Sequence, residues 1–202
     1  MLKQVREYLD QYGDVPMDEY GRVCEILGNR SLSKYKLNIF SEMERIQRIK
    51  KETISFIIYQ VPKPTPRPRY SGKTFCFYVK GASDNRKLFE EWFVKEDIKL
   101  ITTPTTFQCV TYLPIPESMS VPQKVLAELG YISPISKPDW DNLAKTYCDM
   151  IQGTLLYDDA LIVEGSLLKR YSTKPRIEIT LSYLSEFDSS WNKRKILKKG
   201  KR

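Results

Sequence analysis

A chain of 202 residues, 41% hydrophobic, 29% charged and +8 in net charge, has the makeup of one globular domain with an appendage. It contains no histidine, which excludes Ser-His-Asp and Cys-His catalysis and histidine-ligated zinc or haem. Cys24, Cys76, Cys109 and Cys148 form no CxxC pair, no run of 18 apolar residues occurs, and MLKQVREYLDQYGD lacks a signal-type apolar core, so a reduced, cytoplasmic protein without a membrane span is expected.

Residues 1–52 carry ten Lys/Arg against nine Asp/Glu and read as a helical extension. Val5, Tyr8 and Leu9 begin one amphipathic segment, and Tyr20, Val23, Cys24 and Leu27 make a second that stops at Gly28-Asn29. A third runs through Ile39, Met43, Ile46 and Ile49. From Thr53 the period changes, and residues 53–188 form the main domain, with sixteen charges of each sign. ISFIIYQV, β-branched and aromatic, predicts a buried strand. The following VPKPTPRPRYSGK has a proline at every second position over four prolines, which predicts an extended loop or sheet edge. It carries Lys63, Arg67, Arg69 and Lys73 around Tyr70 with no acid, a stiff basic segment suited to a phosphate backbone.

TFCFYV predicts a short strand, and Ser83 or Asp84 caps a helix that buries Leu88, Phe89, Trp92 and Phe93. FQCVTYLP predicts the next strand, and Ser120 with Gln123 has capping-box spacing for a short helix ending at Gly130. ALIVEGSLLKRY and the alternating RIEITLSY predict two strands, joined as a β-hairpin through Ser172-Thr173-Lys174-Pro175. Ile177, Ile179, Leu181 and Tyr183 point to the core. Residues 189–202 carry seven Lys/Arg and no acid, a basic and disordered tail whose charge suits nucleic acid. The expected fold is α+β: a small mixed sheet with helices packed on it, plus the N-terminal helical extension.

The chain is organised around KPDWDNLAKTYCDMIQGTLLYDD, residues 137–159. Asp139 follows Pro138 and predicts an N-cap whose carboxylate accepts first-turn N–H groups. Trp140, Leu143, Ala144, Tyr147 and Ile151 recur at helical spacing, and Gly153 predicts the C-terminal stop. Asp141, Asn142, Lys145 and Asp149 fall on the opposite face, with Asp141, Lys145 and Asp149 in one stripe. Asp149 lies near the negative end of the helix dipole, a small cost with no local reason. Asp158 and Asp159 then precede a strand.

Carboxylates gathered together cannot all stay ionised without a cation among them. Without histidine or clustered thiols, a site of Asp139, Asp141 and Asp159 favours Mg²⁺, with Mn²⁺ able to substitute. Lys145 would hold the phosphate or its developing charge. These residue types suit metal-assisted phosphodiester hydrolysis. On spacing alone, however, DxD also serves sugar-nucleotide transferases and plain helix capping, and DD before a strand is common turn chemistry.

The ordered set is less generic. KPDWDNLAK, then Asp149, Gly153, YDD, Lys169-Arg170-Tyr171 and PRIEITL, preceded by PKPTPRPR-Y-SGK, resembles the RusA family of Holliday-junction resolvases, common in bacteriophages and prophages. The resemblance covers roughly Ile54 to Tyr183. It implies a homodimeric, Mg²⁺-dependent endonuclease that nicks four-way DNA junctions symmetrically, in recombination and repair, in a bacterial cell or phage-infected host, with no organic cofactor. By match to the motif, Asp139, Asp141 and Asp159 are metal-binding and catalytic, and Lys145 is the essential lysine. Asp158 and Asp149 also match the pattern and, with Asn142, are candidates for groups supporting those ligands. Lys169 joins Lys63, Arg67, Arg69 and Lys73 as a candidate DNA contact. Leu161 departs from the family, which often has a polar residue there, and residues 1–52 have no counterpart in its compact members. The alternative class is a non-catalytic junction or single-strand binder with a structural acidic cluster, which would hold DNA equally well without Mg²⁺ and never cut it. Deleting residues 192–202 should weaken DNA binding most at low salt and leave the melting temperature unchanged; an unaltered salt slope removes the tail from DNA binding.

Overall fold

Four strands make the main sheet: β1 (Lys51–Ile58), β4 (Thr105–Pro114), β5 (Ile162–Ser172) and β6 (Arg176–Leu184), in spatial order β1-β6-β4-β5. Two short strands, β2 (Arg69–Ser71) and β3 (Phe75–Phe77), pair antiparallel in a separate ribbon. Two helices of the main unit among the described residues are α1 (Val121–Glu128) and α2 (Trp140–Ile151). This computed structural model describes residues 22, 26, 45–64, 69–71, 75–77 and 99–186, with side chains given for all but the β2 and β3 segments. The chain divides into two compact units, Met1–Ile49 and Lys50–Arg202. In the first, residues 22, 26 and 45–47 are helical. The rest of the expected N-terminal helices, the helix near residues 83–93 and the basic tail lie outside the described residues.

The sheet is mixed, as the α+β expectation requires. β6 pairs antiparallel with both β1 and β4, whereas β4 and β5 run parallel. A parallel pair needs a long crossover, and here that crossover carries α1, α2 and both acidic pairs. The expected β5–β6 hairpin is not formed, because β4 lies between the two strands. The turn after Ser172 therefore steps over one strand, a span of about 10 Å at ordinary strand spacing. β4 takes the central place with the strict in-out burial of TTFQCVTYLP, in which Thr105, Phe107, Cys109, Thr111 and Leu113 are buried.

β1 also departs from expectation. Only Phe56 is fully buried there, while Ile57 is 48% exposed, and Tyr59 and Val61 lie exposed beyond the strand end. The sheet buries one face, as the same alternation on β4 and β6 shows, so only one face of β1 meets the core. On its open face, hydroxyls pair across to β6, Thr53 with Ser182 at 3.1 Å and Ser55 with Thr180 at 2.9 Å.

The main core lies between the other sheet face and α2. Phe56, Phe107, Cys109, Leu167, Ile177, Ile179 and Leu181 meet Leu143, Tyr147, Met150 and Ile151. Each such side chain contributes about 1.5–3 kcal/mol when taken fully from water. A smaller cluster, Leu113, Ala127 and Tyr171, seats α1. The capping box on α1 forms, with Gln123 Oε1 accepting from the Ser120 N–H at 2.8 Å.

The far end of α1 is tied to the turn between β5 and β6. Glu128 accepts from the Thr173 N–H at 2.6 Å and from the Ser172 hydroxyl at 3.0 Å. Arg176 donates to Glu178 at 2.7 Å and lies over the Tyr112 ring at 3.5 Å. The Thr173 N–H foremost, then the Ser172 hydroxyl and the Arg176 charge, hold the Glu128 carboxyl below its ordinary pKa. A depressed carboxylate stabilises the fold above its unfolded pKa, and that contribution is lost as pH falls through the folded value. Glu128 is exposed, so screening reduces its worth. Glu128→Ala should cost about 1 kcal/mol at neutral pH. The gap to wild type should close below the ordinary carboxylate range, as read by thermal melts across pH.

Candidate functional site

α2 positions the acidic stretch by burying its other side. Leu143, Tyr147 and Ile151 are 0% exposed and Met150 is 6%. Thr146 joins the buried side by donating to the Asn142 carbonyl at 2.7 Å. Asp141, Lys145 and Asp149 are consequently turned outward, all exposed, while Asn142 is half-buried. The Tyr147 hydroxyl is buried without a closed hydrogen bond, although the Lys63 main chain comes near it. The start of the proline-rich segment thus passes beside α2, with the Lys63 side chain exposed.

Asp139 occupies the N-cap position, with extended backbone at φ −68° and ψ 144°. Its carboxylate makes no capping hydrogen bond, contrary to the sequence expectation. The helix entry is held from β5 instead. Trp140, 52% exposed rather than fully in the core, donates its indole N–H to the Leu167 carbonyl at 2.7 Å. Lys169 donates to the carbonyls of Ser136 and Pro138, each at 2.8 Å. The cap carboxylate is left exposed and uncommitted to the helix end.

At the other end, α2 stops at Ile151 and Gly153 takes a left-handed φ of +80°, as its place after the helix requires. The turn beyond is bound to Ile101, whose N–H donates to the Leu155 carbonyl and whose carbonyl accepts from the Tyr157 N–H. This returns the chain toward β5 and sets Asp158 and Asp159. Asp158 is a local cap, with Oδ1 accepting from the Ala160 N–H at 3.1 Å. Asp159 opens the single 3₁₀ turn before β5 and is exposed.

The electrostatics join the two ends of the stretch at Asp149. Its carboxyl is pushed above the ordinary range by burial first, with Asp159 adding to the rise and Lys145 opposing it. Cys148 beside it is pushed up to about 11 by burial, Asp149 and Asp159, and Cys109 to about 12 by burial and Cys148. Both thiols stay protonated at neutral pH, so the donors available here are all oxygen.

The structure thus brings Asp159, Asp149 and Lys145 into one field. Asp141 stands two turns from Asp149, about 12 Å along the helix axis at the standard rise. Among the described residues, no three acidic or thiol side chains stand close enough to form a closed metal cage. Mg²⁺ does not demand one, since it keeps several waters and takes one or two carboxylates plus substrate phosphates. An exposed, thiol-free set of carboxylates fits such an open site.

The comparisons with known proteins bear on this arrangement. Residues 60–182 match the family model described as endodeoxyribonuclease RusA. The chain belongs to the RusA endodeoxyribonuclease family. The match spans the proline-rich segment, α2, Asp158-Asp159 and all of β5. The chain is also similar to "Uncharacterized protein YqaN" of Bacillus subtilis (strain 168), 28% identical over 141 residues, which cover 66% of this chain and 99% of that protein. RusA nucleases are in general dependent on a divalent metal, in keeping with the exposed carboxylates of Asp141 and Asp149 on α2. Of the basic residues anticipated for DNA, Lys63 is exposed before the prolines, Lys169 is half-buried on β5, Arg69 lies in β2, and Arg67 and Lys73 fall outside the described residues.

Sequence reading gave Asp149 only a supporting role. The signal for more was its awkward place near the negative end of the helix dipole. If Asp149 and Asp159 share one field, Asp159→Asn should lower the Asp149 pKa toward the ordinary carboxylate value. Carboxyl-carbon NMR titration reads this directly, and an unmoved Asp149 curve would separate the two groups.

Proposed function

We propose that this RusA-family chain is a Mg²⁺-dependent endonuclease that resolves four-way (Holliday) DNA junctions by paired symmetric nicks, with Mn²⁺ able to substitute. The observation that carries the reading is the exposed row Asp139, Asp141, Lys145, Asp149 on and before α2, whose last member, Asp149, feels the charge of Asp159 across the turn. Asp139, Asp141 and Asp159 would hold the divalent ion, with Asp149 as the carboxylate adjoining Asp159. When bound, the ion supplies Lewis-acid stabilisation of the charge that develops on the phosphate.

The chain's own residues do the rest. Lys145 lies on the stripe between the two acidic ends and offers an ammonium to a phosphate oxygen. Burial, with Asp159 adding to it, raises the Asp149 carboxyl, so an arriving cation is favoured beside it. Asp158, spent on capping the 3₁₀ turn, fixes the backbone of Asp159 rather than binding metal. Lys63, with Arg67, Arg69 and Lys73 in the same segment, would track the DNA backbone. The main domain of residues 53–188 would carry the chemistry, with residues 1–52 as an added helical module and residues 189–202 as a basic arm.

Asp141→Asn tests the site. Junction cleavage in Mg²⁺ should fall by several orders of magnitude, while junction affinity stays the same or tightens, since one negative charge facing a polyanion is removed. Cleavage at the wild-type rate contradicts the assignment. A wild-type protein that binds the junction equally well with and without Mg²⁺ and never cuts it is a binder with a structural acidic cluster.

A four-way junction offers two equivalent strands, and the chain has one acidic cluster and no internal repeat. A two-fold homodimer supplies the second cluster and matches the symmetry of the substrate. Val121, Val125, Leu129, Tyr131 and Ile135, all more than half exposed, offer apolar surface for such pairing. Light scattering should give a two-chain mass; 23.7 kDa at every concentration, with paired cuts retained, rules the dimer out.

A further inference from the structure

We propose that Lys169 is a positioning residue of the acidic site, acting through the main chain on Asp139, rather than a contact to DNA phosphate. The inference rests on the reading that Asp139 serves the reaction. Three observations carry it. The Lys169 ammonium donates to the Ser136 and Pro138 carbonyls at 2.8 Å each, which commits two of its three hydrogens inside the protein. The indole of Trp140 donates to Leu167 on the same strand at 2.7 Å. Asp139 is therefore flanked, one residue before and one after, by bonds to β5 positions two apart. Its own carboxylate makes no capping bond, so nothing local to the helix orients it.

Leu167 offers its main-chain carbonyl and Lys169 its side-chain ammonium, two positions apart on β5, which makes the pair a two-point frame. The frame rests on the core, because Leu167 is 5% exposed and belongs to the main hydrophobic cluster. An ammonium bound to two carbonyls also places positive charge immediately beside a carboxylate-bearing residue. Those two bonds hold the chain entering Asp139, whose backbone is in the extended conformation observed. Partners that orient a metal-binding carboxylate in this way are worth about 10- to 100-fold in activity when removed.

The first test uses the wild-type full-length protein. In ¹⁵N-lysine spectra, the Lys169 NH₃⁺ group should be protected from solvent exchange in free protein and stay so when a synthetic junction is added without divalent ion. An ammonium that exchanges freely and becomes protected only on DNA overturns the proposal. The second test is Lys169→Met. Its single-turnover nicking rate at saturating junction should fall about 10- to 100-fold. Its junction affinity and salt slope, measured without divalent ion, should match wild type. Weaker binding with a salt slope reduced by about one phosphate, and an unchanged nicking rate, would instead make Lys169 a backbone contact. If the Met variant fails to melt cooperatively, the wild-type exchange measurement decides alone. Asp139→Asn separates this inference from the site reading: full activity in that variant discards Asp139 as a site residue while leaving the Lys169 protection in place.

Discussion

The burial of one face of α2 against the sheet is the constraint on which the site depends. Leu143, Tyr147, Met150 and Ile151 enter the main core with Phe107, Cys109, Leu167 and Ile179. Their removal from water fixes the rotation of the helix about its own axis. Once that rotation is fixed, Asp141, Lys145 and Asp149 have no choice but to face outward in a row. The hydrophobic contact therefore sets the direction of the charged groups, although no charged group takes part in it.

The second constraint is the parallel pairing of β4 with β5. A parallel pair forces a long crossover, and the crossover spends its length on α1, the cis Lys137–Pro138 approach, α2 and the turn bound to Ile101. Both ends of the acidic stretch are thereby returned to one strand. Leu167 and Lys169 hold the start of α2, and Asp159 leads directly into Ile162, the first residue of β5. A nuclease built this way places its carboxylates by fastening the two ends of a helix-bearing loop to one strand.

The local electrostatics centre on Asp149. Burial and the neighbouring Asp159 both raise Asp149, and Lys145 only partly offsets them. The thiol of Cys148 is pushed up by burial first and then by the same two carboxylates.

Much of this was legible along the chain. The periodicity of Leu143, Tyr147 and Ile151, the stop at Gly153 and the outward stripe of Asp141, Lys145 and Asp149 follow from spacing alone, because helix geometry is local. The alternation of RIEITLSY likewise revealed which residues of β6 enter the core. Three features were not legible. The β5–β6 hairpin was inferred from proximity in sequence, and tertiary structure placed β4 between them, since pairing partners are chosen by non-local ladder bonds and shared core. The exposure of alternate β1 residues depended on which face of the sheet is covered, which its apolar composition does not encode. The carboxylate of Asp139 was expected to cap its helix; the contacts from Lys169 and Trp140 to the entry of α2 arise from residues about thirty positions apart. Local spacing determined which side chains face outward, and only the folded sheet decided which of them meet, because that depends on which strands become neighbours.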